Sequence, residues 1–173
     1  TAGEARSTPC LIPAGSGSEA NGVVFGSSDG HVYSLGAEGD LRWKTAAGAA
    51  LYSSPVYAEG RVFCVTNGGE MLALDAATGR IAWRQDAAEY AMETGPALGG
   101  GLVFAGAWDR YLYAAEAQDG ALRWRKLSKG SDRPAAAQYY SPADCAPAYV
   151  APNLFASDRA HCLTILDAAT GKR

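Results

Sequence analysis

Apolar and polar positions along this chain alternate in short runs. RVFCV (61–65), MLALD (71–75) and IAWRQ (81–85) are rich in β-branched and aromatic residues and bounded by Gly, Asn or Asp, a pattern that predicts strands and not helices. SSDG (27–30), TNGG (66–69), AWDR (107–110) and SDRA (157–160) separate a second run from a third. Their Gly and Asp residues suit the backbone of a tight hairpin. The third run meets the fourth through DAATGR (75–80), where Asp75 is placed to accept bonds from turn amides and Gly79 to take a left-handed conformation. Each unit therefore predicts an antiparallel meander of four strands.

The unit recurs. Phe25, Phe63, Phe104 and Phe155 each close a short apolar run, and Trp43, Trp83 and Trp124 follow the first three at nearly constant distance. Pro55, Pro96 and Pro147 precede the later Phe residues at fixed spacing, and Pro9 plays that part in the first unit, where IPAGSGSEANG (12–22) widens the gap. Four-stranded sheets repeating about every forty residues predict an all-β fold, a β-propeller whose blades cover one another's apolar faces around an axis. The indole of Trp83 then packs on small residues such as Ala73 where two sheets meet. A β-sandwich would explain the strands but not the spacing of Pro, Phe and Trp. The repeats set the blades at about 1–46, 47–87, 88–128 and 146–173, with a loop insertion at about 126–145.

Composition narrows the function. A chain of 173 residues with 48% apolar and 19% charged residues is long enough to bury a core. A net charge of −3, with Lys and Arg scattered singly, argues against a nucleic-acid partner. No apolar run is long enough to span a bilayer, and TAGEARSTPC at the start is not a secretory leader. The chain starts at Thr1 instead of Met, which leaves room for a targeting segment ahead of it. Cys10, Cys64, Cys145 and Cys162 form no C-x-x-C pair, so a zinc or thioredoxin-like centre is not expected. Buried free thiols are favoured over a disulfide; a Cys10–Cys145 bridge would require the first and last units to be neighbours.

The repeated phrase resembles the PQQ-like, or quinoprotein-type, propeller repeat with its docking motif A-x-D-x-x-x-G-x-x-x-W. Ala73, Asp75, Thr78, Gly79 and Trp83 match it, and Ala114, Glu116, Gly120 and Trp124 match with Glu for Asp. The first unit, SLGAEGDLRW (34–43), is one residue short and lacks the Asp, and the last offers Asp167, Thr170 and Gly171 without a Trp. WD40 repeats are a weaker match, since Trp108-Asp109 is a lone dipeptide in a turn. TAGEARSTP (1–9) is similar to TAAGAALYSSP (45–55), so the chain reads as starting just past one Trp strand and ending just before another. The resemblance implies a piece of a larger ring whose open faces invite self-association, and a periplasmic or extracellular location.

Candidate chemistry clusters on loops. In a meander, the blade connectors and the turns between strands two and three share one end of the propeller, where a rigid sheet presents them. Trp108, Arg110, Tyr111, Tyr139, Tyr140 and Arg159, with Lys129, Arg133, Asp158 and His161 beside them, make an aromatic and cationic contact patch for a protein partner, weighed against a solvated loop. Arg6, Tyr52, Glu93 and Asp144 stand three residues before each repeat Pro and are expected at the mouth of the central channel, as a ligand set or as ordinary surface polarity. His31 and His161 fall at turns and predict no metal site. No catalytic residue is identified and no cofactor is expected. The leading function is a non-catalytic scaffold, sensor or protein-binding module. The alternatives are part of an oxidoreductase using pyrroloquinoline quinone and calcium, and an accessory domain of a larger enzyme.

Overall fold

A computed structural model describes residues 1–15, 21–129, 141–160 and 162–173. Each repeat forms one antiparallel sheet, its strands hydrogen-bonded in chain order. The first blade is β1 (Cys10–Ile12), β2 (Gly22–Gly26), β3 (His31–Gly36) and β4 (Leu41–Ala46); the second is β5 (Val56–Ala58), β6 (Arg61–Val65), β7 (Glu70–Asp75) and β8 (Ile81–Asp86). The third is β9 (Ala97–Gly99), β10 (Leu102–Gly106), β11 (Tyr111–Glu116) and β12 (Leu122–Leu127); the fourth has only β13 (Ala148–Val150), β14 (Asn153–Ser157) and β15 (Leu163–Asp167). The first strands β1, β5, β9 and β13 touch in succession, so they line the axis and the fourth strands lie outermost. The all-β propeller expected from the repeat is the observed architecture, as a fragment without the outer strand of its last blade. Among the described residues no helix is long and apolar enough to cross a membrane.

The Trp residues explain how one sheet holds the next. Trp43, Trp83 and Trp124 stand across from Ser34, Ala73 and Ala114, one residue before a register shift that recurs in all three blades. Each indole reaches into the following blade. Its Nε1 donates to the carbonyl of Ala76, Ala117 or Ala168 at 3.0, 3.0 and 2.9 Å respectively. Its ring lies over Gly79, Gly120 or Gly171, each at positive φ, where an added Cβ would come within 2.6, 2.6 or 2.9 Å of the ring. Glycine is thus required twice over, for the turn and for the approach. Asp75 Oδ1 accepts from the amide and hydroxyl of Thr78 at 2.8 and 2.7 Å, and Asp167 does the same with Thr170. These bonds hold both carboxyls below the usual carboxylate range.

The three apolar clusters are the three seams. Val24, Val32 and Trp43 pack on Val62, Cys64 and Leu72; Phe63, Met71 and Trp83 pack on Val103, Ala105 and Tyr113; Phe104 and Leu112 pack on Leu154, Ala156 and Leu166. Equating Phe25 with the other three Phe residues needs correction. Phe63, Phe104 and Phe155 occupy the third position of their strand and pair with Ala73, Ala114 and Ile165, whereas Val24 holds that position in β2. Phe25, one residue later, pairs with Tyr33 on the opposite face, their rings stacked at 5.5 Å. A single-residue offset reverses every side chain in a strand.

All four cysteines are free thiols. Cys64 is buried as expected, and burial pushes its thiol up to about 12; Cys10, Cys145 and Cys162 are only half-buried. The first and last blades are separated by two others, which removes the condition for a Cys10–Cys145 bridge.

Candidate functional site

The connectors and the turns between strands two and three share one end because the backbone ties them together. Ser28 N donates to Glu4 O at 2.9 Å, Asn67 N to Ala50 O at 2.8 Å and Trp108 N to Ala91 O at 3.0 Å. Turn aspartates reinforce the link. Asp29 accepts from the Ala2 amide at 2.9 Å and the Tyr33 hydroxyl at 2.5 Å; Asp109 accepts from the Glu89 amide at 3.3 Å and the Tyr113 hydroxyl at 2.5 Å. Desolvation opposes ionisation of Asp29, but bonds from Tyr33, the Ala2 amide, Ser27 and the His31 amide outweigh it and hold the carboxyl well below its ordinary range. Asp158 accepts from the Ser128 hydroxyl at 2.6 Å, fastening the last turn to the connector that precedes it.

On this frame the two expected constellations merge in part. Asp144, from the channel-mouth set, pairs with Arg159 of the loop set at 2.5 Å, and the Arg159 guanidinium lies 5.2 Å from the centre of the Trp108 ring. Ser141 Oγ donates to the Trp108 carbonyl at 3.0 Å, so the connector closes over this cluster. Arg6 lies 5.3 Å over the Tyr52 ring and 3.8 Å from Glu4, a separate pair at the entries to the first two blades. Glu93 is half-buried in the intervening connector. Tyr111 carries Arg125 at 5.1 Å from its ring centre, and Arg110 sits in the left-handed region at φ 82°, its carbonyl accepting from Ser128 N at 2.9 Å. Tyr139, Tyr140, Arg133 and His161 lie outside the described residues.

Sequence reasoning missed two devices. Ser7, Ser53, Thr94 and Cys145 stand two residues before each repeat Pro. Ser7 Oγ bonds both the carbonyl and the amide of Gly26, Ser53 Oγ donates to Val65 O at 2.7 Å, and Cys145 meets the Ser157 hydroxyl. The connector is thereby tied to the end of strand two in three blades, while the buried Thr94 hydroxyl has no hydrogen-bond partner among the described residues. The signal was the phrase Ser/Thr/Cys-x-Pro. The second device is the Asp-x-x-x-Tyr spacing of Asp29 with Tyr33 and Asp109 with Tyr113.

Among the described residues no three His, Cys, Asp or Glu side chains converge as metal ligands. Asp144 is paired with Arg159 at 2.5 Å, and His31 is held in its own turn by Asp29 at 3.3 Å.

The family model described as outer membrane protein assembly factor BamB matches residues 11–173. The curated BamB of Burkholderia pseudomallei (strain K96243) is 30% identical over 95 residues, which is 55% of this chain and 24% of that protein. The solved BamB of Moraxella catarrhalis superposes with a TM-score of 0.74 at 22% identity, over 97% of this chain and 48% of that one. The quinohemoprotein alcohol dehydrogenase of Comamonas testosteroni gives a TM-score of 0.75 at 15% identity, over 98% of this chain and 34% of that one. At these identities the solved structures share the fold alone. The chain spans about a quarter of the curated relative and about half of the solved BamB.

Proposed function

Since this chain belongs to the outer membrane protein assembly factor BamB family of PQQ-like propeller repeats, we propose that it is a non-catalytic module that binds a protein partner through its connector end. One observation carries the reading: Arg159 is held between Asp144 and the Trp108 ring on connectors tied by backbone bonds to rigid hairpins. Arginine and tryptophan recur at the energetic centres of protein interfaces, and fixing them in advance lowers the entropy lost on binding. The name of the relatives places their work at the outer membrane, and we propose a periplasmic or outer-membrane setting for this chain too. No cofactor is assigned.

The test is site-specific photo-crosslinking in the periplasm of a Gram-negative host. A probe at Trp108 should give a discrete protein adduct that Arg159→Glu weakens at least fivefold. The same probe at Ala82, exposed on an outer strand, should give none. Identical patterns at the two positions would refute the assignment. A titration with pyrroloquinoline quinone and calcium addresses the oxidoreductase alternative: tight, calcium-dependent binding with a new absorbance band would favour it.

A further inference from the structure

The turn that carries Trp108 also carries a residue its backbone does not favour. The hairpins of the first three blades close in the same way: the amide of the last turn residue donates back to the carbonyl of the first, Gly30 to Ser27, Gly69 to Thr66 and Arg110 to Ala107, at 3.2, 3.0 and 3.2 Å. The carbonyl of that last residue then accepts from the chain leaving the fourth strand, at Ala47, Ala88 or Ser128. Its backbone is left-handed each time, at φ 79°, 83° and 82°. Glycine enters this region freely, and a residue with a Cβ enters it at a cost. In the second blade glycine is compulsory, since a Cβ on Gly69 would run into the Ala88 carbonyl. The third blade nevertheless holds an arginine there. Residues kept in such a conformation gather at ligand clamps, active sites and switch regions.

The charge of this arginine is uncommitted. Elsewhere at the connector end Arg6 lies over Tyr52, Arg84 is paired with Glu70, Arg125 lies over Tyr111, and Arg159 is held by Asp144 and Trp108. Arg110 makes no side-chain hydrogen bond, ion pair or ring contact with any described residue. Its neighbour Asp109 is already spent on the Tyr111 and Glu89 amides and the Tyr113 hydroxyl. A second cation borders the first: Lys129 is exposed, follows directly on Ser128, whose amide bonds the Arg110 carbonyl, and has no ion pair among the described residues.

We propose that Arg110 receives a carboxylate of the partner protein, an Asp or Glu side chain docked beside Trp108, with Lys129 adding to the attraction. A guanidinium fork matches the two carboxylate oxygens point for point, which a lysine cannot do. The short turn fixes where that fork starts, so the strain of the left-handed backbone is offset only when the partner is bound. The proposal rests on the protein-binding reading and names the chemistry the partner brings to that surface.

The experiment uses the photo-crosslinking probe at position 108 in the full chain. Arg110→Gly relieves the backbone and should raise the melting temperature by about 2 °C, yet lower the yield of the protein adduct roughly tenfold. Arg110→Lys keeps the charge and should retain more of the adduct than Arg110→Gly does. Treated with a water-soluble carbodiimide, which joins an amine to a carboxylate, the Arg110→Lys variant should become linked through residue 110 to an Asp or Glu of the same partner, located by mass spectrometry of the joined peptides. An adduct that Arg110→Gly leaves undiminished, or carbodiimide treatment that joins residue 110 to no part of the partner, overturns the proposal and leaves the protein-binding reading standing. A fall in melting temperature in Arg110→Gly overturns it as well, because the side chain would then serve packing. If position 108 gives no adduct with Arg110 in place, both readings fall.

Discussion

Ser34 faces Trp43 where the next two blades place Ala73 and Ala114. Its hydroxyl is buried and has no hydrogen-bond partner among the described residues. An unsatisfied buried hydroxyl costs more than the contact it makes. Ser34→Ala should therefore stabilise the chain by about 1 kcal/mol, read from the midpoint of a denaturant curve with unchanged slope. Glu59 poses the opposite question. Replacing it with Gly relieves a backbone held at φ 49° at a cost in unfolded-chain entropy, a net gain of roughly 0.5 kcal/mol. Acid should act through the turn carboxylates. Asp75 and Asp167 are depressed in the folded chain, first by the bond from the Thr78 or Thr170 hydroxyl. The stability they supply is complete above the unfolded carboxylate value, about 4, and is lost as pH falls through their lower folded values. Urea unfolding between pH 5 and 2 should show this decline, and a shallower one in Asp75→Asn.

At the scale of strands and turns, the unit of construction is a fourth strand of one blade together with the third-to-fourth turn of the next. Gly120→Ala tests it: the φ of 79° and the approach of an added Cβ to within 2.6 Å of Trp83 both oppose the methyl. We expect a loss of about 2 kcal/mol or more, with the near-ultraviolet signal of Trp83 altered. Trp83→Ala should cost about 3–5 kcal/mol, because the Phe63 contact at 6.1 Å and the bond to Ala117 go together. This unit was legible in the sequence because Asp75, Thr78, Gly79 and Trp83 are close along the chain and each has its own geometric requirement. The face of β2 was not legible. Both faces of a blade are apolar, so VVF at 23–25 reads the same whichever face Phe25 takes, and only pairing with Tyr33 decides it. The Asp144–Arg159–Trp108 cluster was half legible: its members were chosen, but in two separate sets, since their contact depends on how the connector folds back. That Leu98 stands where the neighbouring blades have Tyr57 and Tyr149 emerges only from the register.

For the molecule as a whole, the two end faces decide solution behaviour. Within each seam the Trp-bearing face of one blade covers the opposite face of the next, yet the outer face of the fourth blade leaves Val150, Leu163 and Ile165 exposed by 63%, 64% and 50%. The alternating Thr164 and Leu166 are buried against the third blade. At the other end the first blade's outer face leaves Leu11 exposed by 61%, beside the half-buried Phe25 and the buried Tyr33, whose ring centre lies 5.1 Å from Lys44. These two faces stand to each other as the halves of an internal seam. Exposed apolar surface of this kind gains roughly 25 cal/mol per Å² when covered, and contiguous patches seldom stay bare. The 173-residue chain should therefore self-associate head to tail, with a weight-average mass that rises with concentration in sedimentation velocity. Leu163→Lys combined with Ile165→Lys removes apolar area from one partner face only, leaves the buried side of β15 untouched, and should return the chain to its monomer mass of 17.9 kDa. A double variant that associates as strongly as the parent would mean that the contact runs through some other surface, and that the outer side of the fourth blade is tolerated in water as it stands.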